Sequence, residues 1–333
     1  MNYDEVILLV HNARVDKFVS YTIDADLYSP EGSFSFECDS KYDVSRGDTC
    51  QIFVNRKCVM AGLIDTVRRS LSRSGPKMDI EGRSVAAVLA DSSVTKFATL
   101  PTTLPQLTER LVRDLPFLSR KDFIFNSGAD KVKVKRQFVE LSPGDSVFDV
   151  IKKAANSQGY LFWASPEGEL VFDKPVERGK AKFKIHAFED GSEMDYIEGS
   201  VSETINDQHS LIKVIGESQD DDDIKYVAAK VENSDFPFYR PLVVHWNENE
   251  GPARKTAELH LATEKVSAIQ LEYTMPGHSQ NGIPWTINAF CDVQDDYNGA
   301  NDSYLIKRRT FTLSRDEGKR TRLELQPGGL LLW

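Results

Sequence analysis

Six histidines, four cysteines and 51 carboxylates are the groups of this chain with the most chemistry open to them, and their spacing decides what kind. The histidines, His11, His186, His209, His245, His260 and His278, are scattered along the whole length. His260 and Glu264 stand at i, i+4 on a predicted helix, which is half of a metal site. A zincin-type centre needs a second histidine one turn away, and none is there, so a surface hydrogen bond is the expected role. The cysteines, Cys38, Cys50, Cys58 and Cys291, form no CxxC pair and read as free, mostly buried thiols. Asp220, Asp221, Asp222 and Asp223 are four adjacent carboxylates. They repel one another and read as a solvated loop, because a calcium loop alternates its acids around a glycine turn. A glycosidase pair needs one carboxyl set in an apolar pocket, and nothing singles out such a Glu or Asp. Trp246, Trp285 and Trp333 are candidates for stacking on sugars, against the more frequent fate of such rings as core. No GxSxG elbow, HExxH, phosphate-binding glycine loop or dinucleotide fingerprint occurs. The expectation is therefore a chain with no catalytic, cofactor-binding or metal-ligating set, and not an enzyme.

The elements around these residues read as strands first. Phe34 and Phe36 alternate with Ser33, Ser35 and Glu37, the period-two signature of a half-buried strand. Two β-rich runs flank Asn55-Arg56-Lys57 and predict a hairpin. The run from Met78 to Gly82 is then an antiparallel partner for Leu63 to Ser70. A short helix follows, with Val85, Val88 and Leu89 at i, i+3 and i+4. From about Lys96 the character changes. Leu104, Leu107, Leu111 and Leu115 make one helix face, with Thr103 as cap, Gln106 three residues on and Pro105 in the first turn. A second helix has Asp145 as its predicted N-cap, a stripe of Val147, Val150, Ile151 and Ala154, and Gly159 as its stop. Two short strands surround the Pro166-Glu167-Gly168 turn. Beyond about Glu177 the strands return. A long hairpin flanks the acidic loop, one helix carries Ala257, Leu261 and Ala268 near one face, and four more strands follow.

Bulk properties bound the reading. The chain has 333 residues, 40% hydrophobic and 28% charged, which suits a soluble chain of two or three domains. No apolar run reaches the ~20 residues of a membrane span, and the N-terminus lacks the basic start of a secretory signal. A net charge of −10 argues against nucleic-acid binding as the main activity.

A set of motifs in order carries a resemblance. They are Gly32-Ser33-Phe34-Ser35, Arg46-Gly47-Asp48, Gly62-Leu63-Ile64-Asp65, Gly82-Arg83-Ser84 and Asp91-Ser92. Together they resemble the N-terminal part of the Mu-like phage baseplate hub family (tail protein P), which is related to the late control protein D of P2-like phages and the hub part of VgrG spikes. Residues 142–172 are similar to that family's helix-then-hairpin segment, 240–262 to its Arg-Pro-Leu strand and following helix, and 308–327 to its final two strands. The Asp220–Asp223 loop and the Gly328–Trp333 tail depart from the pattern. Gly62 and Gly82 read as sites of a bulge or of close approach by another backbone. Arg83 and Asp91 flank a short helix and read either as an ion pair pinning it to the sheet or as a weak surface pair.

The resemblance implies a mainly β fold with an α+β insert, built as tail-tube-like β-barrel domains. The division expected is 1–95 for a first tube-like domain, 96–176 for the insert and 177–333 for a second tube-like domain with one helix. It further implies a structural hub of a contractile tail, forming a homotrimeric ring that joins the tail tube, or a tube-initiator, to a separate central spike. Other baseplate proteins are the remaining partners expected, with no membrane insertion and no specific nucleic-acid binding. Assembly in the host cytoplasm and residence in the virion baseplate follow, and the acidic excess would line the channel. A tail-associated cell-wall-degrading enzyme or cell-surface-binding protein is the alternative.

Overall fold

Alternation of apolar and polar side chains dictates most of this chain, and strands dominate. A computed structural model describes residues 4–329 apart from 12, 30–31, 40, 74, 96–101, 116–117, 119–121, 135–141, 218–224 and 247–252. The first stretch holds β1 (Val6–Val10), β2 (Ala13–Val15), β3 (Phe18–Asp26), β4 (Ser33–Cys38), β5 (Thr49–Val54), β6 (Lys57–Ser72), β7 (Gly75–Ser84) and α1 (Ala87–Asp91). The middle holds β8 (Thr102–Thr103), α2 (Leu104–Val112), β9 (Phe123–Phe125), β10 (Lys133–Val134), α3 (Val147–Asn156), β11 (Leu161–Ala164) and β12 (Leu170–Asp173). Next come β13 (Phe183–Ala187), β14 (Glu198–Glu203), β15 (Leu211–Glu217), β16 (Lys225–Glu232), β17 (Pro241–His245) and α4 (Ala253–Ser267). The last strands are β18 (Ile269–Pro276), β19 (Ser279–Gln280), β20 (Ile283–Pro284), β21 (Phe290–Asp295), β22 (Ala300–Ser314) and β23 (Gly318–Gln326).

Thirteen strands form one sheet, in the order β14-β18-β23-β22-β3-β4-β7-β6-β5-β1-β2, with β21 also on β22 and β13 on β21. Its centre is a seam between distant parts of the chain. There β22 pairs antiparallel with β3, from Arg308 opposite Asp26 to Leu313 opposite Tyr21. A single core follows from that seam. It contains Leu8, Phe34, Phe36, Ile52 and Ile80 from the first stretch, and Phe183, Tyr273, Phe311 and Leu325 from the last. Each ring so buried contributes about 1.5–3 kcal/mol. Among the described residues the ladder ends at β2, at β14 and, on the β21 branch, at β13 without closing on itself, so the expected barrels are not closed within one chain.

Local signals behave as their chemistry demands. Asn55 and Arg56 both take positive φ, 49° and 65°, as a tight hairpin turn between β5 and β6 requires. Gly82 faces the Phe34 ring: a Cβ there would stand 2.2 Å from the Leu63 carbonyl oxygen and 2.3 Å from Phe34 Cζ. Thr103 and Gln106 form the capping box of α2. The cap of α3 is Ser146, whose Oγ accepts from the Asp149 N–H at 3.0 Å. This corrects the sequence reading of Asp145, whose carboxylate instead accepts from the Ser142 N–H at 2.7 Å.

Two further cores lie outside the large sheet. The middle stretch packs α1, α2 and α3 over β9, β11 and β12 through Leu104, Leu107, Ile151, Phe162 and Phe172. Its β11–β12 turn meets the large sheet, where Cys58 Sγ lies 3.3 Å from the Pro166 carbonyl oxygen. The strands β16-β15-β17 form a small sheet covered on one side by α4, through Ile212, Val214, Ala253 and Ala257.

Candidate assembly interface

Two groups of buried polar side chains are tied into hydrogen-bonded knots. Asp4 accepts from the His278 N–H at 2.5 Å, from Asn55 Nδ2 at 2.6 Å and from Ser279 Oγ at 2.5 Å. Burial would raise its carboxyl, but those hydrogen bonds outweigh burial and hold it below the usual carboxylate range. The His278 ring lies 2.7 Å from Tyr21 Oη and 3.2 Å from Thr321 Oγ1. It has no exposed surface, and burial pushes its pKa down to about 4. A second knot centres on Asp295, whose Oδ2 accepts from Tyr196, Tyr273 and Asn298. Arg309 is buried at the seam, its guanidinium 4.0 Å from the Phe311 ring centre. Burial lowers its pKa to about 10, and it borders a cavity of about 40 Å³, room for a water. The Asp4–His278 and Asp295 knots staple strands remote in sequence, and the His278 ring is closed to solvent.

The residues singled out from sequence separate accordingly. Glu264 is turned to His209, accepting from its backbone N–H at 2.9 Å with its other oxygen 2.8 Å from Nδ1. Arg83 is a fork between Asp65 and Asp91, with Nε 2.8 Å from Asp65 Oδ2 and Nη2 2.6 Å from Asp91 Oδ2. The hydrogen bond from Arg83 holds the Asp91 carboxyl below its ordinary value. The fork joins β6 and β7 to the end of α1, as the pinning reading expects. Trp285 is not a sugar platform: it is 1% exposed, with its ring centre 4.6 Å from that of Phe183. Trp246 packs partly buried into the small core under α4. Trp333 and the Asp220–Asp223 loop lie outside the described residues. Three of the cysteines are buried, Cys58 is half-buried, and burial raises all four thiols. His186, Glu193 and Asp195 come together although sequence reasoning missed them. The usable signal was the Asp190-Gly191-Ser192 turn, which folds 186 back onto 195.

The exposed surface carries further features. Among the described residues the sheet offers unpaired edges at β14 and β2, and an open edge is a template for another strand. Met194, Ile197 and Ile205 stand exposed around β14. The β6–β7 hairpin runs past the core and carries Leu71 at 83% exposure near its tip. The uncovered side of the β16-β15-β17 sheet shows Val227 and Val243, with Phe238 and Tyr239 exposed beside it. By contrast, the outer face of β22, β3, β4 and β7 is lined with hydroxyls and carboxylates, some of them paired with Lys77, Arg83 and Arg308. Two open concavities there, of about 530 and 490 Å³, are bordered by Ser35, Thr22, Thr312, Glu37, Asp79 and Glu81 among others. Among the described residues no helix is long and apolar enough to cross a membrane.

The chain is mainly β, with interior polar knots and, among the described residues, strand edges left open. Residues 5–84 match the family described as Mu phage baseplate assembly protein GpP-like, N-terminal, and residues 264–330 match one described as tail protein, C-terminal domain. Both matches are to phage tail and baseplate proteins, the N-terminal stretch being GpP-like. Solved structures agree on the fold. A tail protein from Neisseria meningitidis MC58 is similar at 23% identity and a TM-score of 0.84, over 99% of this chain and 98% of that one. The 43 kDa tail protein of prophage MuSo2 from Shewanella oneidensis is similar at 18% identity and 0.79, over 97% and 98%. An Escherichia coli component of the type VI secretion system, described as similar to the T4 tail proteins gp27 and gp5, is similar at 12% identity and 0.59, over 98% and 80%. No curated protein matches the chain by sequence.

Proposed function

We propose that this chain is the structural hub of a contractile phage or phage-like baseplate, working as a homotrimeric ring between the tail tube and a central spike, without catalysis. The observation that carries the reading is the sheet that, among the described residues, leaves strand edges open at β2 and β14. A cyclic assembly needs one surface on each subunit that complements another surface on the next. Two strand edges meet that need, and pairing them across subunits would complete tube-like barrels that one chain leaves open. The division of labour follows the expected units: 1–95 and 177–333 supply the collar, and 96–176 is an outward insert. The exposed apolar side of β16-β15-β17 and the β6–β7 arm are then contacts for the tube protein or tube-initiator, the spike and other baseplate proteins. The hydroxyl and carboxylate face lines the channel, where negative charge repels DNA phosphates and keeps passage free. Assembly takes place in the host cytoplasm.

Light-scattering mass of the purified chain, alone and with its neighbouring tail proteins, tests the proposal. A mass near three chains is expected in at least the second condition. Lysines at the exposed β14 positions, Ser200→Lys with Ser202→Lys, should lower that mass and leave the β-sheet circular dichroism intact. A monomer under every condition, or hydrolysis of peptidoglycan by the pure chain, would overturn it.

A further inference from the structure

The turn after β13 assembles three metal-ligand atoms on one face of a short antiparallel bridge. Gly191 takes φ 71°, and the chain reverses there, with the Phe188 N–H donating to the Glu193 carbonyl and the Asp195 N–H to the His186 carbonyl. His186 therefore stands across from Asp195, and Glu193, two residues earlier on an extended segment, shares that face. His186 Nδ1 lies 3.4 Å from Asp195 Oδ2 and 3.5 Å from Glu193 Oε2, and the three ligand atoms all fall within 4.8 Å of one another. Both separations exceed the length of a charge-assisted N–H···O bond, which is about 2.7–2.9 Å. They agree with another geometry. A tetrahedral zinc with bonds of about 2.0–2.1 Å sets its ligands roughly 3.3–3.5 Å apart.

The ligands are also held in place before any ion arrives. Asp195 Oδ2 accepts from the His186 backbone N–H at 2.9 Å, and the imidazole stacks on Phe188 with ring centres 5.6 Å apart. Supporting contacts of this kind orient ligands and raise affinity. Glu193 is half exposed, which leaves the site an entrance.

We propose that His186, Glu193 and Asp195 bind one divalent cation of the zinc class, with a fourth position open to water. One imidazole and two carboxylates suit zinc better than the all-oxygen cations, calcium and magnesium. The bound ion would clip the 188–194 turn to the end of β13, and through β21 to the large sheet. This inference is independent of the hub reading: it concerns a site within one chain, and it stands whatever the oligomer.

The test uses the full chain stripped with a chelator and dialysed, then titrated with zinc chloride by calorimetry. One ion per chain is expected, at micromolar Kd or tighter, together with a rise in Tm. Cobalt(II) should give the visible absorption of tetrahedral coordination. His186→Ala and Glu193→Gln should each weaken uptake at least tenfold and abolish the cobalt band. Glu193 is exposed, so its variant keeps the test sound if loss of His186 disturbs folding. His209→Ala should leave uptake unchanged. Absence of stoichiometric uptake, or uptake that survives both His186→Ala and Glu193→Gln, overturns the proposal.

Discussion

Gly82 shows how little freedom single residues have at the heart of the large sheet. The space a methyl group would need is already held by the Leu63 carbonyl and the Phe34 ring. Neither can retreat without opening the β6–β7 ladder or the aromatic core. Gly82→Ala should therefore cost about 3 kcal/mol, read as a lower urea midpoint at unchanged slope. His278 makes a different claim, about pH. Its folded pKa is pushed down to about 4 from a reference of 6.5. In the unfolded chain the ring takes up a proton as pH falls through 6.5, while the folded chain resists until about 4. The associated stability is fully present above 6.5 and is lost progressively between 6.5 and 4, by on the order of 3 kcal/mol. Urea midpoints across that window should fall, and His278→Gln should flatten the slope.

Helix α3 shows where reading by element succeeds and where it slips. The apolar stripe of Val147, Val150, Ile151 and Ala154 was legible because 3.6-residue periodicity is local, and all four side chains are buried. Asp145 and Ser146 are both good caps by type, and only φ and ψ separate them. Ser146→Ala should cost about 1 kcal/mol and Asp145→Ala a few tenths, measured by thermal melts of the two variants. The same limit explains the wider record. The β4 alternation, the Asn55-Arg56 turn and the Thr103–Gln106 capping box are written in adjacent residues, so they were readable. The pairing of Asp26 with Arg308 is not, since no local rule links residues so far apart in the chain. The Asp4–His278–Tyr21 knot was hidden for the same reason. The His186 trio spans only a short turn, but its three ligands together fit neither the i, i+4 spacing of a helix nor the i, i+2 spacing of one strand, so no local period marks them.

For the whole molecule, the arrangement of charge matters more than its sum. The net charge of −10 gives no location for the excess, whereas the fold gathers Glu37, Asp79 and Glu81 onto one hydroxyl-rich face with Glu317 beside them, where Lys77 and Arg320 offset part of their charge. If that face borders the DNA path, reversing it should create an affinity that the native chain lacks. Asp79→Lys with Glu81→Lys should confer duplex binding in fluorescence anisotropy, weakening with salt at a log–log slope of about −2. The native chain should show no binding at the same ionic strength. Retention of tight DNA binding by the native chain would contradict a repelling channel.

The seam between β3 and β22 has a consequence for biogenesis. The hydrophobic side of β3, with Tyr21 and Ile23, waits for a strand that leaves the ribosome only after nearly all the intervening polypeptide has been translated. Contacts this remote make folding slow and leave apolar strand surface open in the nascent chain. Such a polypeptide should depend on chaperones during synthesis, and should refold from denaturant in milliseconds to seconds or longer with a strong tendency to aggregate.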